Sequence, residues 1–281
     1  MSKSGYRKLV EGLAMKALFL IFITISFSAF AQDPLAYFNN FDARVYSLKN
    51  KGVKDFVVDI ESSKLTDQLN DQMIFGKVEE VIFRTYWTAN PERIAIEVIG
   101  LPDGFKEIKE ELKMSIMSVL DSLLPPSTIQ RFAGYKFQAS KIPKEFTAQD
   151  GTGVANVQSY LLRFDSQDKL IEIIGNKPIG TLTTTPVYEK ESFSDGKWVL
   201  KSMATVSSEN GQSYSMKKEL SYGSSQGMGV LSKLKITSEQ KAAAAGAKSL
   251  KLDEVVEFKN YKINSGIALK YFLGETEKIT P

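Results

Sequence analysis

SFSDGKWVLKSMATVSSENGQSYSMKKELSY, residues 192–222, holds two strand candidates, Trp198 to Val206 and Ser213 to Tyr222. Ser194-Asp195-Gly196 precedes the first, and Glu209-Asn210-Gly211 separates the two. Asp-Gly and Asn-Gly are strong short-range hairpin signals, because tight primed turns demand positive φ at their central residues. The alternation of strand and turn continues on both sides. Val154 to Phe164, Leu170 to Ile174 and Pro186 to Phe193 come before, separated by Asp165-Ser166-Gln167-Asp168 and a loop over 175–185. Val230 to Thr237 comes after the glycine-rich stretch 223–229. Strands that follow one another this closely pair with their sequence neighbours, which predicts an antiparallel meander.

Further out the pattern changes. Pro34 suits a first helical turn, and Phe38, Phe41, Val45 and Leu48 recur at helical spacing up to a glycine stop at Gly52. Phe56-Val57-Val58-Asp59-Ile60 is β-rich, with Phe56, Val58 and Ile60 on one face. After a polar segment from Leu65 to Met73, Val78 to Trp87 and Arg93 to Ile99 predict a hairpin closed by Thr88-Ala89-Asn90-Pro91. Phe105, Ile108, Leu112, Ile116, Val119, Leu120, Leu123 and Leu124 then recur mostly at three and four residues. They predict a long helix with Asp103 as its N-cap and Pro125-Pro126 as its stop. The stretch 127–152 is mixed, Ala242 to Ala245 suits a helix turn or a loop, and 257–264 predicts a final strand. The fold class is therefore α+β, mainly antiparallel β, in one continuous domain over 32–281.

The N-terminus carries a different signal. Lys3, Arg7, Lys8 and Lys16 precede an apolar run from Ala17 to Phe27, and Ala29-Phe30-Ala31 offers a small-x-small cleavage site. This is the pattern of a secretory signal peptide over 1–31, cleaved after Ala31, with translation starting at Met1 or Met15. The run is shorter than the roughly 20 apolar residues needed to span a bilayer, so no stable transmembrane segment is expected after cleavage. The full chain has a net charge of +3, but the leader holds four cations and only Glu11 against them, which leaves the exported part formally neutral. Neutrality offers no electrostatic footing for nucleic acid.

The chain has no cysteine and no histidine. That removes disulfides, thiol catalysis, Ser-His-Asp chemistry and the commonest metal ligand. No catalytic residue, cofactor or metal ligand is predicted. The carboxylates Asp165, Asp168, Glu172, Asp195 and Glu209 were weighed as a glycosidase acid and base, but all except Glu172 fall in predicted turns, where Asp serves backbone geometry. Ser-x-x-Lys occurs at Ser166, Ser194 and Ser238 without the partner motifs Ser-Asp-Asn and Lys-Thr-Gly. Only the phrase at Ser238 is placed to open a helix. The helix over 103–124 has an ordinary role as a core helix on the sheet and a second as a mobile cover for an apolar cavity, which the adaptable Met114 and Met117 would suit.

Arg84-Thr85-Tyr86-Trp87-Thr88-Ala89-Asn90-Pro91-Glu92-Arg93, with its aromatic-x-x-Asn-Pro-x-Arg phrase, the meander opening at Ser194-Asp195-Gly196-Lys197-Trp198, and the closing Phe258-Lys259-Asn260-Tyr261-Lys262-Ile263-Asn264 appear in that order. Together with the export signal they resemble the outer-membrane lipoprotein-sorting superfamily, which includes the periplasmic carriers LolA and LolB. The resemblance implies a curved, incomplete β-barrel with helices covering its concave face and a cavity for acyl chains. It also implies a periplasmic location, no enzymatic activity, and a lipid or acylated protein as partner. Cavity or lid contacts are expected at Trp87, Phe105, Ile108, Leu112, Ile116 and Leu120. The chain is longer than those carriers and shows no match for their ligand-release residues. The alternatives are an envelope sensor that binds a protein segment on the same fold, and a carboxylate-dependent carbohydrate-active enzyme.

Overall fold

The structure, a computed structural model, describes residues 33–71, 78–241 and 249–275. The leader over 1–31 and the alanine stretch 242–245 lie outside the described residues. Twelve strands hydrogen-bond into one antiparallel sheet that is not closed into a barrel. Two meanders compose it. The first is β1 (Asp55–Ser62), β2 (Ile82–Ala89) and β3 (Glu92–Ile99). The second begins with β4 (Tyr135–Ala139), β5 (Glu145–Asp150), β6 (Ser159–Phe164), β7 (Leu170–Lys177) and β8 (Gly180–Lys190). It continues through β9 (Trp198–Glu209), β10 (Gln212–Ser225), β11 (Met228–Lys241) and β12 (Leu250–Ile263). They join where β12 pairs with β1, so that β3 and β4, consecutive in sequence, are the two edges.

Register defines one continuous inner face. Phe56, Val58 and Ile60 on β1 stand opposite Trp87, Thr85 and Phe83 on β2. Val256, Leu234 and Leu220 align across β12, β11 and β10. From Lys218 the same face runs to Met203, then Pro186 and Thr184, then Ile173, Leu162 and Phe146. These positions fill two clusters. The larger joins Phe56, Val58, Ile60, Phe83, Leu220 and Leu234 to one side of helix α3, defined below; the smaller is built around Phe146, Leu162 and Ile173.

Four helices bear on this arrangement. α1 (Pro34–Arg44) starts at Asp33, whose carboxylate accepts from the Leu35 N–H, with Pro34 at the first helical position. It buries Tyr37, Phe38 and Phe41 in the smaller cluster. α2 (Ser63–Asp71) adds Leu69 to the larger. α3 (Lys106–Leu123) adds Leu112, Ile116, Val119, Leu120 and Leu123 to it. α4 (Thr128–Arg131) is a single turn that leads Phe132 into the smaller cluster. The segment 100–134 links the two edges of a sheet that would be roughly 50 Å wide if flat, and the 18 residues of α3 span about 27 Å of that path. Its apolar stripe is buried against the face it crosses.

The strand and turn pattern around 192–222 holds, as do the hairpin at Asn90-Pro91 and the stop before Pro125-Pro126. Several expectations are corrected. The first helix ends at Arg44, and a 3-10 turn, Lys49–Lys51, leads to Gly52. Asp103 does not cap α3; the helix starts after Phe105, and the Asp103 carboxylate accepts from Lys109 Nζ at 3.3 Å instead. The polar segment from Leu65 lies in α2 up to Asp71, with Gln72 and Met73 outside the described residues. The supposed loop 175–185 is the β7–β8 hairpin, with Thr181 to Thr185 in regular register. The glycine-rich stretch is strand up to a two-residue turn, Gln226 and Gly227, both at positive φ. Ser238 is in β11, not at a helix start. The closing strand, expected over 257–264, begins at Leu250 and lies mid-sheet between β1 and β11.

α5 (Ile267–Leu273) escaped the sequence reading. It packs on the outer face, where Ala268 meets Val57 and Tyr86, and Tyr271 stacks on Tyr86 at 3.9 Å. Its signal was present in the run Phe56-Val57-Val58: an unbroken apolar run marks a strand buried on both faces.

Candidate functional site

Among the six residues expected at a cavity or lid, Trp87, Leu112, Ile116 and Leu120 are brought together in the larger cluster, and Ile108 packs against it. Phe105 stands half-buried at the head of α3, outside that cluster. Trp87 is 1% exposed and stacks on Phe56 at 5.2 Å. Its indole Nε1 and the Thr85 Oγ1, two residues apart on the inner face of β2, are buried without a hydrogen-bond partner among the described residues. A buried orphan of this kind costs about 1–3 kcal/mol. Met114 and Met117 are on the opposite side of α3, exposed, Met114 by 73%.

Between the two clusters lies a cavity of ≈ 70 Å³. Phe41 and Leu170 line it from the α1 side, and Leu48, Leu123, Leu200 and Leu231 from the α3 side. Its polar lining comes from Asp42, Ser47, Ser122, Thr128 and Arg131, and from three tyrosines on facing elements. Tyr46 donates to the Gly229 carbonyl at 2.7 Å, and Tyr222 donates to the Leu200 carbonyl at 3.1 Å. Burial pushes both phenols up. Tyr188, raised to about 12 by burial, lies within the field of Arg131 and Asp42. Asp42 is also pushed up by burial, and its two carboxylate oxygens accept from the N–H and hydroxyl of Thr128 at 2.8 and 2.7 Å. That pair ties the end of α1 to the start of α4. An engineered apolar cavity of about 150 Å³ takes one benzene, so the closed space here is smaller than a ring. From α3 it is bordered by Ser122 and Leu123 at the C-terminal end, and none of the six residues expected at a cavity or lid lines it.

Gly229 sets the floor of this space. A Cβ there would lie 2.1 Å from a ring carbon of Phe193, so only glycine permits the ring to lie flat on β11.

The acids weighed in the sequence are each engaged at the surface. Asp165 accepts from the Gln167 and Lys169 N–H groups, a turn of the kind expected for Asp. Asp168 bonds Tyr37, Arg44 and Lys144. Glu172 pairs with Arg163, Asp195 with Lys51, and Glu209 with Lys177. No two of them face each other across a cleft. Ser194, of the Ser-x-x-Lys phrases, donates to the Glu191 carbonyl at 2.8 Å inside its own turn. A pair the sequence did not suggest, Glu61 and Glu80, lines one cleft together with Lys259, which pairs with Glu61. Loss of solvent, and then the Glu61 charge, push the Glu80 carboxyl up. Among the described residues no cluster of three or more acids is placed to hold a metal ion, and no helix is long and apolar enough to cross a membrane.

The geometry defines a class: an open antiparallel sheet with helices packed on its inner face and a small apolar cavity between two cores. Comparison with family models, curated proteins and solved structures gave no match to this chain.

Proposed function

We propose that this protein is an exported, periplasmic carrier of the LolA/LolB-like kind, non-enzymatic, which holds the acyl chains of a lipid or an acylated protein between α3 and the inner face of the sheet. The sheet is then a curved half-barrel and α3 the cover of its concave side. The observation that carries the reading is the cavity at the seam between the two cores, walled by leucines and bordered by the C-terminal end of α3 at Ser122 and Leu123. Transfer of an acyl chain from water contributes about 0.8 kcal/mol per methylene, so a sheet and a movable helix suffice without a catalytic group. Native mass spectrometry of the protein purified from its own envelope without detergent, followed by solvent extraction, tests it. Co-purifying acyl species are expected; a bare mass and no uptake of added lipid would overturn it.

A second reading, a sensor that binds a protein segment on the same fold, draws on one observation. β10 and β12 run past α3, and Tyr214, Leu250 and Leu252 are exposed there on inner-face positions. A stable partner without bound lipid is its signature.

A further inference from the structure

The two open edges of the sheet differ. β4 has 5 residues and carries Lys136, the usual guard against pairing with another strand. β3 has 8 residues and keeps unbroken register with β2 along its length, with no lysine, proline or bulge. The Ala89 N–H donates to the Lys54 carbonyl at 2.8 Å, so odd-numbered residues of β2 bond towards β1 and even-numbered ones towards β3. By register, Arg93, Ala95 and Glu97 then bond to β2, opposite Thr88, Tyr86 and Arg84. The N–H and C=O groups of Ile94 and Ile96 point away from the sheet, and among the described residues no backbone group pairs with them. The side chains add to this. Ile94 is 41% exposed at the rim of the inner face. On the outer face Arg93 makes no ion pair among the described residues and lies 6.0 Å from the centroid of the Phe272 ring. Glu97, on the same face, is exposed and accepts from the Tyr86 hydroxyl at 3.1 Å. Arg93-Ile94-Ala95-Ile96-Glu97 is thus its own complement when reversed.

We propose that β3 is the docking surface for a second copy of this chain, the two β3 strands pairing antiparallel about a two-fold axis at Ala95, so that the sheet continues from one protomer into its partner. The open backbone groups require even-numbered residues to face even-numbered ones, and charge selects among the registers that remain. With the axis at Ala95, Ile94 exchanges backbone bonds with the partner's Ile96, and Arg93 stands opposite the partner's Glu97, each contact occurring twice. Moving the axis by one residue leaves both charges facing neutral positions; moving it by two sets arginine against arginine or glutamate against glutamate. Opposite charges directly across a ladder stabilise it, and like charges oppose it. A strand that pairs with itself closes after two copies, whereas β3 on the β4 edge of the next copy would go on adding protomers. The inference stands independently of the carrier reading.

Sedimentation velocity of the purified protein over a range of concentrations tests it, and a dimer whose share rises with concentration is expected. Arg93→Glu and Glu97→Arg each set like charges across the axis twice, and each should weaken the dimer at least about tenfold. An equal mixture of the two variants should dimerise again, because the arginines of one chain then face the glutamates of the other. Ile94→Pro removes an outward N–H that β2 does not use, so it should give a monomer with a native circular dichroism spectrum. That variant and Arg93→Glu decide the matter even where Glu97→Arg disturbs the fold through Tyr86. A wild type that sediments as a monomer throughout, or a dimer that persists in the variants, overturns the proposal. Charge variants that stay apart when mixed overturn the register at Ala95. Assemblies that grow beyond two copies overturn the closed pair.

Discussion

Around α1 the inner face is packed by rings; around α3 the helix itself contributes branched aliphatic side chains, set against Phe56, Phe83 and Trp87 of the sheet. Phe38 has centroid distances of 4.9 Å to Phe137, 5.1 Å to Phe146 and 6.1 Å to Phe164, and Phe41 meets Phe164 edge-on at 5.3 Å. Such pairs are worth about 0.5–1.5 kcal/mol each beyond their buried area, and their geometry is specific. Outside the rings, Asp168 fixes α1 to the β6–β7 turn through Tyr37 and Arg44. Among the described residues α3 meets the sheet through leucine, isoleucine and valine, with Lys218 to Ser118 as its hydrogen bond to a strand. The difference teaches where movement is cheapest. A ring cluster must be dismantled to shift α1, whereas on the carrier reading α3 lifts as a unit, which the following variants test.

The sharpest way to break this comparison is to remove one ring. Phe38 is fully buried, and Phe38→Ala is expected to cost about 3–5 kcal/mol, read as a lowered midpoint in urea with loss of near-ultraviolet dichroism. A cost below about 1 kcal/mol would show that the aromatic half is no firmer than the other. Leu112→Asp is the matching test for α3. If α3 lifts, the buried carboxylate escapes to water, and the global cost cannot exceed the docking free energy of the helix. The variant is expected to fold, with a native far-ultraviolet spectrum, and to fail in lipid uptake. An unfolded spectrum would make α3 an integral part of the core, since an unpaired buried charge is then inescapable.

The two halves also differed in how well their sequences could be interpreted. α3 announced itself because one stripe of aliphatic residues recurs over 18 positions, while its capping residue misled because Asp103 bonds Lys109. Trp87 is buried in the larger cluster, as its reading as a core anchor at a strand position expects. The region around β4 and β5 resisted assignment. Its strands have 5 and 6 residues, and their inward positions, Phe137, Phe146 and Ala148, acquire meaning only when α1 arrives from a hundred residues away. The cavity was illegible for the same reason: Leu48, Leu123, Leu200 and Leu231 sit on four separate elements. Lys218 could not have been singled out among the chain's lysines, since its burial depends on α3 crossing β10.

A smaller effect is expected at the seam. Gly229→Ala forces Phe193 off the strand and with it the ring contact between Phe193 and Tyr46, at 5.2 Å. Overpacking of this kind costs about 1–3 kcal/mol. The ring is half-buried in a short turn, which favours the lower end. Calorimetric unfolding would measure it, and an unchanged midpoint would show that Phe193 has free room to turn.

The smallest effect sharpens the contrast through pH. Lys144 above all, with Tyr37 and Arg44, holds the Asp168 carboxyl below its ordinary value, against a partial loss of solvent. A depressed folded-state value means that the stability it supplies is fully present above the unfolded value, about 3.9. It is lost as pH falls through the lower, folded one. Asp168→Asn should therefore cost less than about 1 kcal/mol at neutral pH, as partly exposed pairs do, and nothing once the wild-type carboxyl is protonated. Because Asp168 serves α1 and not α3, the loss should appear as faster hydrogen exchange in 34–44 at neutral pH, with 106–123 unchanged. Equal acceleration in both helices would mean that the ring core and the aliphatic core open together, and that α3 is not the independent element the carrier reading requires.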